Sequence, residues 1–322
     1  VGLDSAHLSA RIRPIRVYSK GFTMKHVFVL LSAVALLVAA CGNSTSGNAV
    51  GQTSAGSTQP VERAVGKKAW YDGFEITVDK VTAKSLQDSQ VQIDIALTYR
   101  NLINAAHRPG FDGTDNDTGR VGHLEWKDDS SDLEFTSPKI PGLAIGQGTA
   151  KREITVQEQF ANLDQLLDTM VLVYGDTATN QTRIPFGPNG TVVTEEPRGI
   201  SVGQTIGSGP TLQLASAYLW PSYAPGEKGK HELWIEFTFS CAESCGDIFY
   251  QGSAWTLTDP NGQQVHMDDR SPAVYEQPGP GGKTGSSYAV FVLDNVPSGT
   301  YTLNVKGTQD TIEFDETTQL QL

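Results

Sequence analysis

The chain has 322 residues, with 36 Asp and Glu against 24 Lys and Arg, a net charge of −12 and only three cysteines. An acidic balance of this size repels phosphate backbones and anionic headgroups, which excludes DNA, RNA and phosphoinositides as partners. No apolar run reaches the about 20 helical residues that a hydrocarbon layer requires.

In chain order, residues 1–23 carry Arg11, Arg13, Arg16 and Lys20 without apolar periodicity. They are expected either to precede the true start at Met24 or to form an extended basic n-region. From Met24 a short basic head (Lys25) leads into the apolar run Val27 to Ala40, then small residues and Cys41. These are the parts of a secretory signal. The ending Val38-Ala39-Ala40-Cys41 resembles the bacterial lipobox. That resemblance implies a diacylglycerol on the Cys41 thiol, cleavage before it, and acyl chains such as palmitate holding the protein on the extracytoplasmic face of the cell membrane. Two or more chains suffice for stable anchoring. The alternative is an ordinary signal peptide cut at an Ala-x-Ala-like site beside a chance cysteine. Residues 1–40 are therefore expected to be a precursor segment, and without them 19 basic face 35 acidic residues.

Residues 41–62 are rich in Gly, Ser, Thr and Asn and are expected to form a flexible tether. After it come short runs that alternate apolar and polar residues, the mark of strands with one buried face. Phe74, Ile76 and Val78 share one face of the first, and Val91, Ile93, Ile95 and Leu97 one face of the second. Further strands are expected at residues 123–127, 132–136, 149–156 and 170–174. Between the last two, Asn162 reads as the cap of a short helix with Leu163, Leu166 and Leu167 at helical spacing. A second block repeats the plan, with matching segments at 211–219, 231–239, 254–262, 287–293 and 299–305. The same order twice argues for duplication. The expected fold is all-β, two tandem antiparallel sandwiches at residues 63–190 and 200–322, with the boundary in the Gly- and Pro-rich stretch 188–203.

Three loops carry candidate chemistry. Asp112, Asp115 and Asp117 place hard oxygen donors close together in a Gly-containing loop, a partial calcium pattern that lacks the distal Glu and has Gly119 misplaced; a solvated acidic loop is the alternative. Tyr218, Trp220 and Tyr223 surround Pro221 and precede Pro225, so an exposed ring there would be an adhesive spot for glycans or peptides; the alternative is that Trp220 folds back to cap the sandwich. Cys241 and Cys245 are expected to close a small disulfide loop, since with Cys41 lipidated no other thiol remains and there is no Cys-x-x-Cys spacing.

Glycine 73 to Val81 with its alternating residues, the strand ending Leu97 to Asn101, and Gly146-Gln147-Gly148 leading into Ile154 to Gln157 resemble the immunoglobulin-like, telokin-like domain of unknown function found behind lipoprotein signals in Gram-positive envelopes. The resemblance covers roughly residues 65–187, with a looser echo over 200–307 in which the Asn at the strand end is missing. It implies an extracytoplasmic adhesion, scaffold or ligand-binding module, and no reaction.

Catalytic patterns fail on context. Gly199-Ile200-Ser201-Val202-Gly203 has the spacing of a nucleophile elbow, yet it follows Pro197 and no helix comes after it. His231-Glu232 lacks the second histidine of a zinc protease, and His107, His123 and His266 are isolated. Asp128 with Asp129 and Asp268 with Asp269 are sequence neighbours in turns, which does not set two carboxyls across a cleft. Gly281 to Thr284 has the wrong spacing for a phosphate loop. The expectation is a non-catalytic cell-envelope lipoprotein that binds or scaffolds an extracytoplasmic protein or cell-wall partner. The rivals are a glycan- or ligand-binding protein using the aromatic loop and an inhibitor of an extracytoplasmic enzyme.

Overall fold

The computed structural model describes residues 59–86, 90–103, 122–127, 129–132, 134–135, 147–156, 160, 162–175, 177–207, 211–241, 248–250, 254–272, 274–276, 282–309 and 312–322. The expected precursor segment 1–40, Cys41, the candidate calcium residues Asp112, Asp115 and Asp117, His107, Asp128, Gly146 and Cys245 lie outside them. No described helix is long and apolar enough to cross a membrane.

The chain folds as two antiparallel β-sandwiches. In the first, β1 (Val61–Tyr71), β2 (Phe74–Ser85), β3 (Val91–Asn101), β7 (Gln147–Val156) and β6 (Glu134–Phe135) form one layer in that order. The other layer runs β5 (Asp129–Asp132), β4 (Gly122–Trp126), β8 (Val171–Tyr174) and β9 (Thr182–Pro185). The single strand expected at 132–136 is thus two pieces that belong to opposite layers.

The helix α1 (Leu163–Thr169) is capped as expected: Asn162 Oδ1 accepts from the amides of Asp164 and Gln165 at 2.9 and 3.2 Å. Its three leucines are buried in the first core. On the outside, Arg63 of β1 reaches Asp168 at 2.6 Å and Asp164 at 3.3 Å.

In the second sandwich β10 (Arg198–Ile200), β12 (Thr211–Pro221), β13 (His231–Ser240) and β18 (Ser287–Leu293) form one layer, with β11 (Thr205–Ile206) also on β12. The facing layer runs β16 (Gln264–His266), β15 (Trp255–Thr258), β19 (Thr300–Gln309), β14 (Ile248–Tyr250) and β17 (Val274–Glu276), with β20 (Ile312–Gln321) along the other side of β19.

The strand order read twice in the sequence has a counterpart in the pairing. The run β1-β2-β3-β7 matches β10-β12-β13-β18, and β5-β4-β8-β9 matches β16-β15-β19-β20. Even an irregularity recurs. One extra residue, Asp79, interrupts the register of β2 on β3, and Ala215 does the same in β12 on β13. A bulge shifts the period-two phase by one. The inward residues accordingly change from Phe74, Ile76 and Val78 to Val81 and Ala83, and from Leu212 and Leu214 to Ala217 and Leu219.

The tether was expected to extend to residue 62, and β1 opens at Val61. The reason is that Arg63 and Lys67 take inward-side positions of this strand and find fixed partners, which their polarity conceals in the sequence. The stretch expected as a boundary between domains is likewise held down. Arg183 and Val193 exchange backbone hydrogen bonds of 2.8 and 3.0 Å, and the Lys67 ammonium donates to the carbonyls of Pro185, Gly187 and Gly190 at 2.9, 2.6 and 2.8 Å. Thr53–Leu322 is one compact unit.

Candidate functional site at a buried polar joint

Along β13 the inward residues Leu233, Ile235, Phe237 and Phe239 belong to the second core. The alternate residues Glu232, Trp234 and Glu236 would face water in a lone sandwich, yet they are only 2, 4 and 1 % exposed. Both faces of this layer are covered. Trp220, Tyr223, Trp234 and Val290 pack into the core of the first sandwich together with Tyr71, Phe74 and Tyr174.

The cover is made by aromatic rings. Tyr71 lies 4.2 Å from Tyr223 and 5.4 Å from Tyr174 between ring centres. Trp234 stacks on Tyr288 at 4.6 Å and packs on Trp220 at 5.2 Å. Tyr71 is brought there by the β1–β2 hairpin, whose turn residues Asp72 and Gly73 have φ of 48° and 74°. Positive φ at both central positions is the tight turn that Asp-Gly favours. Behind it the Trp70 carbonyl accepts from Thr182 Oγ1 at 2.5 Å, Thr194 Oγ1 at 3.0 Å and the Tyr223 hydroxyl at 3.4 Å. One oxygen thereby joins β9, the linker and the second sandwich.

Within this joint sits a cluster of charge. Glu232 Oε1 accepts from Arg270 Nη1 at 2.6 Å and contacts Ser222 Oγ at 2.8 Å, while Oε2 accepts from the Trp234 indole at 2.7 Å. Ser222 Oγ also contacts Glu227 Oε2. Arg270 donates to Glu227 at 3.0 and 3.1 Å and to Asp268 at 2.6 and 3.1 Å. The loop carrying Arg270 is itself pinned to β18, because Asp268 N donates to Val290 O and Val290 N donates to Ser271 Oγ, at 2.8 and 2.9 Å.

Burial pushes the Glu232 carboxyl up to about 7, the nearby Asp72 charge adds to the rise, and Arg270 opposes it. Burial would also raise Asp268, but its bonds to Arg270 outweigh this and hold it low. Burial raises the Tyr71 and Tyr223 phenols as well.

A rim closes the joint. Asn180 Nδ2 donates to Ser222 O at 2.6 Å, Gly229 N donates to Asn180 Oδ1 at 3.2 Å, and Lys228 Nζ donates to Thr177 O at 2.7 Å. His231 lies 3.3 Å from Glu195.

Of the aromatic residues singled out in the sequence, Tyr218 is half-buried, and Trp220 and Tyr223 are 1 and 9 % exposed. They hold the sandwiches together and present no open ring; Trp220 does fold inward, over the first core. Glu232, set aside as a fragment of a zinc motif, is the centre of the cluster. Asp268, read as a turn residue, is one of its members, and Arg270 was not singled out at all. Ser201 lies exposed just past β10, with β11 rather than a helix following. His123 is buried and meets Glu125 at 3.0 Å, which Arg183 also binds. Among the described residues no group of three His, Cys, Asp or Glu could hold a metal.

The outer face of the β16-β15-β19-β20 layer is different in kind. Register places Gln264, Thr258, Thr302 and Gln319 in one row and His266, Thr256, Asn304 and Thr317 in the next. Gln264, His266, Thr317 and Gln319 are exposed, and the two rows contain neither carboxylate nor Lys or Arg. In so acidic a chain these two rows carry amides, hydroxyls and one imidazole, and the next row is the Lys306–Asp315 ion pair, whose carboxylate accepts from Asn304 Nδ2 at 2.6 Å.

No protein-family model matches the sequence, and no curated protein matches it.

Proposed function

We propose that the chain is an extracytoplasmic lipoprotein, anchored through lipid on Cys41, whose two immunoglobulin-like, telokin-like sandwiches act without turnover as a binding scaffold. The observation that carries the scaffold reading is the joint. The rings that could have formed an adhesive loop are used between the sandwiches, which joins them into one body that carries the polar rows on the second sandwich. An uncharged array of hydroxyls and amides suits hydroxyl-rich wall polymer better than a charged ligand.

Other features support parts of this reading. Tyr301 bonds back to the Pro297 carbonyl at 3.0 Å, four residues upstream, in the manner of the tyrosine corner of immunoglobulin-like folds. Cys241, just past the end of β13, and Cys245 are the pair to which we assign a disulfide. Such a bridge suits an oxidising compartment.

The address is tested by intact mass of the membrane-extracted protein, wild type beside Cys41→Ser. A mass beginning at Cys41 plus a diacylglyceryl group, lost in the variant, is expected; an unmodified chain retaining residues 1–40 overturns the anchor. The face is tested by sedimentation with isolated cell walls. Wild type is expected in the pellet and the Thr302→Lys, Asn304→Lys double variant in the supernatant, whereas a soluble wild type removes the wall-binding reading.

A further inference from the structure

The buried cluster goes beyond this reading and does not depend on the anchor. We propose that the joint is a proton-held latch, closed when the Glu232 carboxyl carries a proton and loosened when that proton leaves.

The argument begins with counting hydrogens. A serine hydroxyl has one proton to donate. Ser222 Oγ lies against carboxylate oxygens of both Glu227 and Glu232, and it accepts from Ala224 N at 3.3 Å. With both acids ionised, one of these oxygen pairs has no hydrogen between its members. A proton on Glu232 Oε1 completes the chain: Glu232 donates to Ser222, and Ser222 donates to Glu227. Of the two acids Glu232 is the more enclosed, its side chain 3 % exposed against 21 % for Glu227, and Oε1 is its oxygen that meets Ser222, so the proton belongs there; the protonated oxygen keeps a lone pair for Arg270. Charge agrees with the count. Asp268, Glu227 and Glu232 surround the single guanidinium of Arg270, and the Asp72 charge reaches them from the hairpin.

The groups facing Glu232 come from every neighbouring element. They are Tyr71 and Asp72 of the hairpin, Tyr223 and Glu227 of the β12–β13 loop, and Asp268 and Arg270 of the segment after β16, with Tyr288 of β18 stacked on Trp234 beside them and the pairs His231–Glu195 and Lys230–Asp294 at the rim. Opening the joint would hydrate Glu232 and return it to the usual carboxylate range. The closed state then binds more protons than the open one between that range and about 7. Closure is therefore fully favoured below this window, weakens as pH rises through it, and has lost the whole contribution above it. One proton allows at most about tenfold per pH unit in the closed-to-open ratio.

The test is hydrogen exchange of the full chain between about pH 4.5 and 8.5, read at residues 71–74 and 232–236 and corrected for the intrinsic rise of exchange with pH. Wild-type protection should fall as pH rises and level off above neutrality. Glu232→Gln, which removes the titrating proton, should give a flat profile, while His231→Gln should keep the wild-type slope. Asp72→Asn, which tolerates the left-handed backbone, should move the midpoint to lower pH. A flat wild type, or a Glu232→Gln profile that follows wild type, overturns the latch. If Glu232→Gln does not fold, an unmoved midpoint in Asp72→Asn overturns it instead.

Discussion

Lys67 shows what a single side chain can contribute when its surroundings are built for it. Its ammonium meets three carbonyls of the segment that follows β9, and burial lowers its affinity for the proton. Charge-assisted bonds of this type are worth about 1.5–3 kcal/mol each at most, and they share one desolvated group here. Lys67→Met is expected to cost about 2 kcal/mol in urea unfolding; a loss below about 0.5 kcal/mol would mean the carbonyls find water equally well. Trp220 behaves differently, because its indole N–H has no hydrogen-bond partner among the described residues. Its contribution is ring area alone. Trp220→Ala should cost about 3–5 kcal/mol and Trp220→Phe clearly less, measured by the same unfolding curves, and equal losses would contradict this. The rings of the joint were visible in the sequence as aromatic residues near prolines, but their use was not. A tryptophan next to a turn has the same local pattern whether it meets solvent or a second sandwich. Glu232 and Glu236 were hidden for the related reason that glutamate at alternate strand positions reads as a wet face.

At the scale of elements, the Asn162 cap is expected to be worth about 1 kcal/mol, so Asn162→Ala should lower stability by that amount, and an unchanged midpoint would show that α1 is held by Leu163, Leu166 and Leu167 alone. Gly148 sits opposite Tyr99 on β3, and a Cβ there would overlap the Tyr99 phenol. Gly148→Ala should therefore cost about 1–3 kcal/mol by pushing the ring aside, and it should be milder in a Tyr99→Leu background; additivity of the two changes would rule out the contact. Strands with clean alternation, such as β2, β3, β12 and β18, were legible from the sequence, as were α1 and the repeated order. The strand β1 was not, since the side chains that alternate in it include Arg63 and Lys67. Nor was β20, where Glu, Asp, Thr and Gln outnumber apolar residues and pairing with β19 does the work of burial. Short strands such as β9, β10 and β11 carry too few residues for any period to appear.

For the whole molecule, the two cores are not independent, because side chains of β12, β13 and β18 are counted among the buried residues of the first. Wild-type chain is therefore expected to melt in one cooperative transition by calorimetry, and Trp220→Ala to split it into two. Two separate transitions in the wild type would mean that the joint is too weak to couple the sandwiches. The sequence pointed to two sandwiches in tandem and to a boundary between them at 188–203; glycine and proline there serve a bound path, which composition cannot distinguish from a free one.

The strand β1 begins at Val61, where the first described residues enter the fold, and ends at Tyr71, inside the joint. A pull applied at Val61 is directed along this strand toward the second sandwich. Its paired positions on β2, from Val61 opposite Ala83 to Tyr71 opposite Phe74, would then be sheared together rather than unzipped one after another. Viewed as a mechanical part, β1 is a strap: tension applied at Val61 would reach the second sandwich through many hydrogen bonds at once, and the bulge between Ala64 and Lys67 is where that strap has slack.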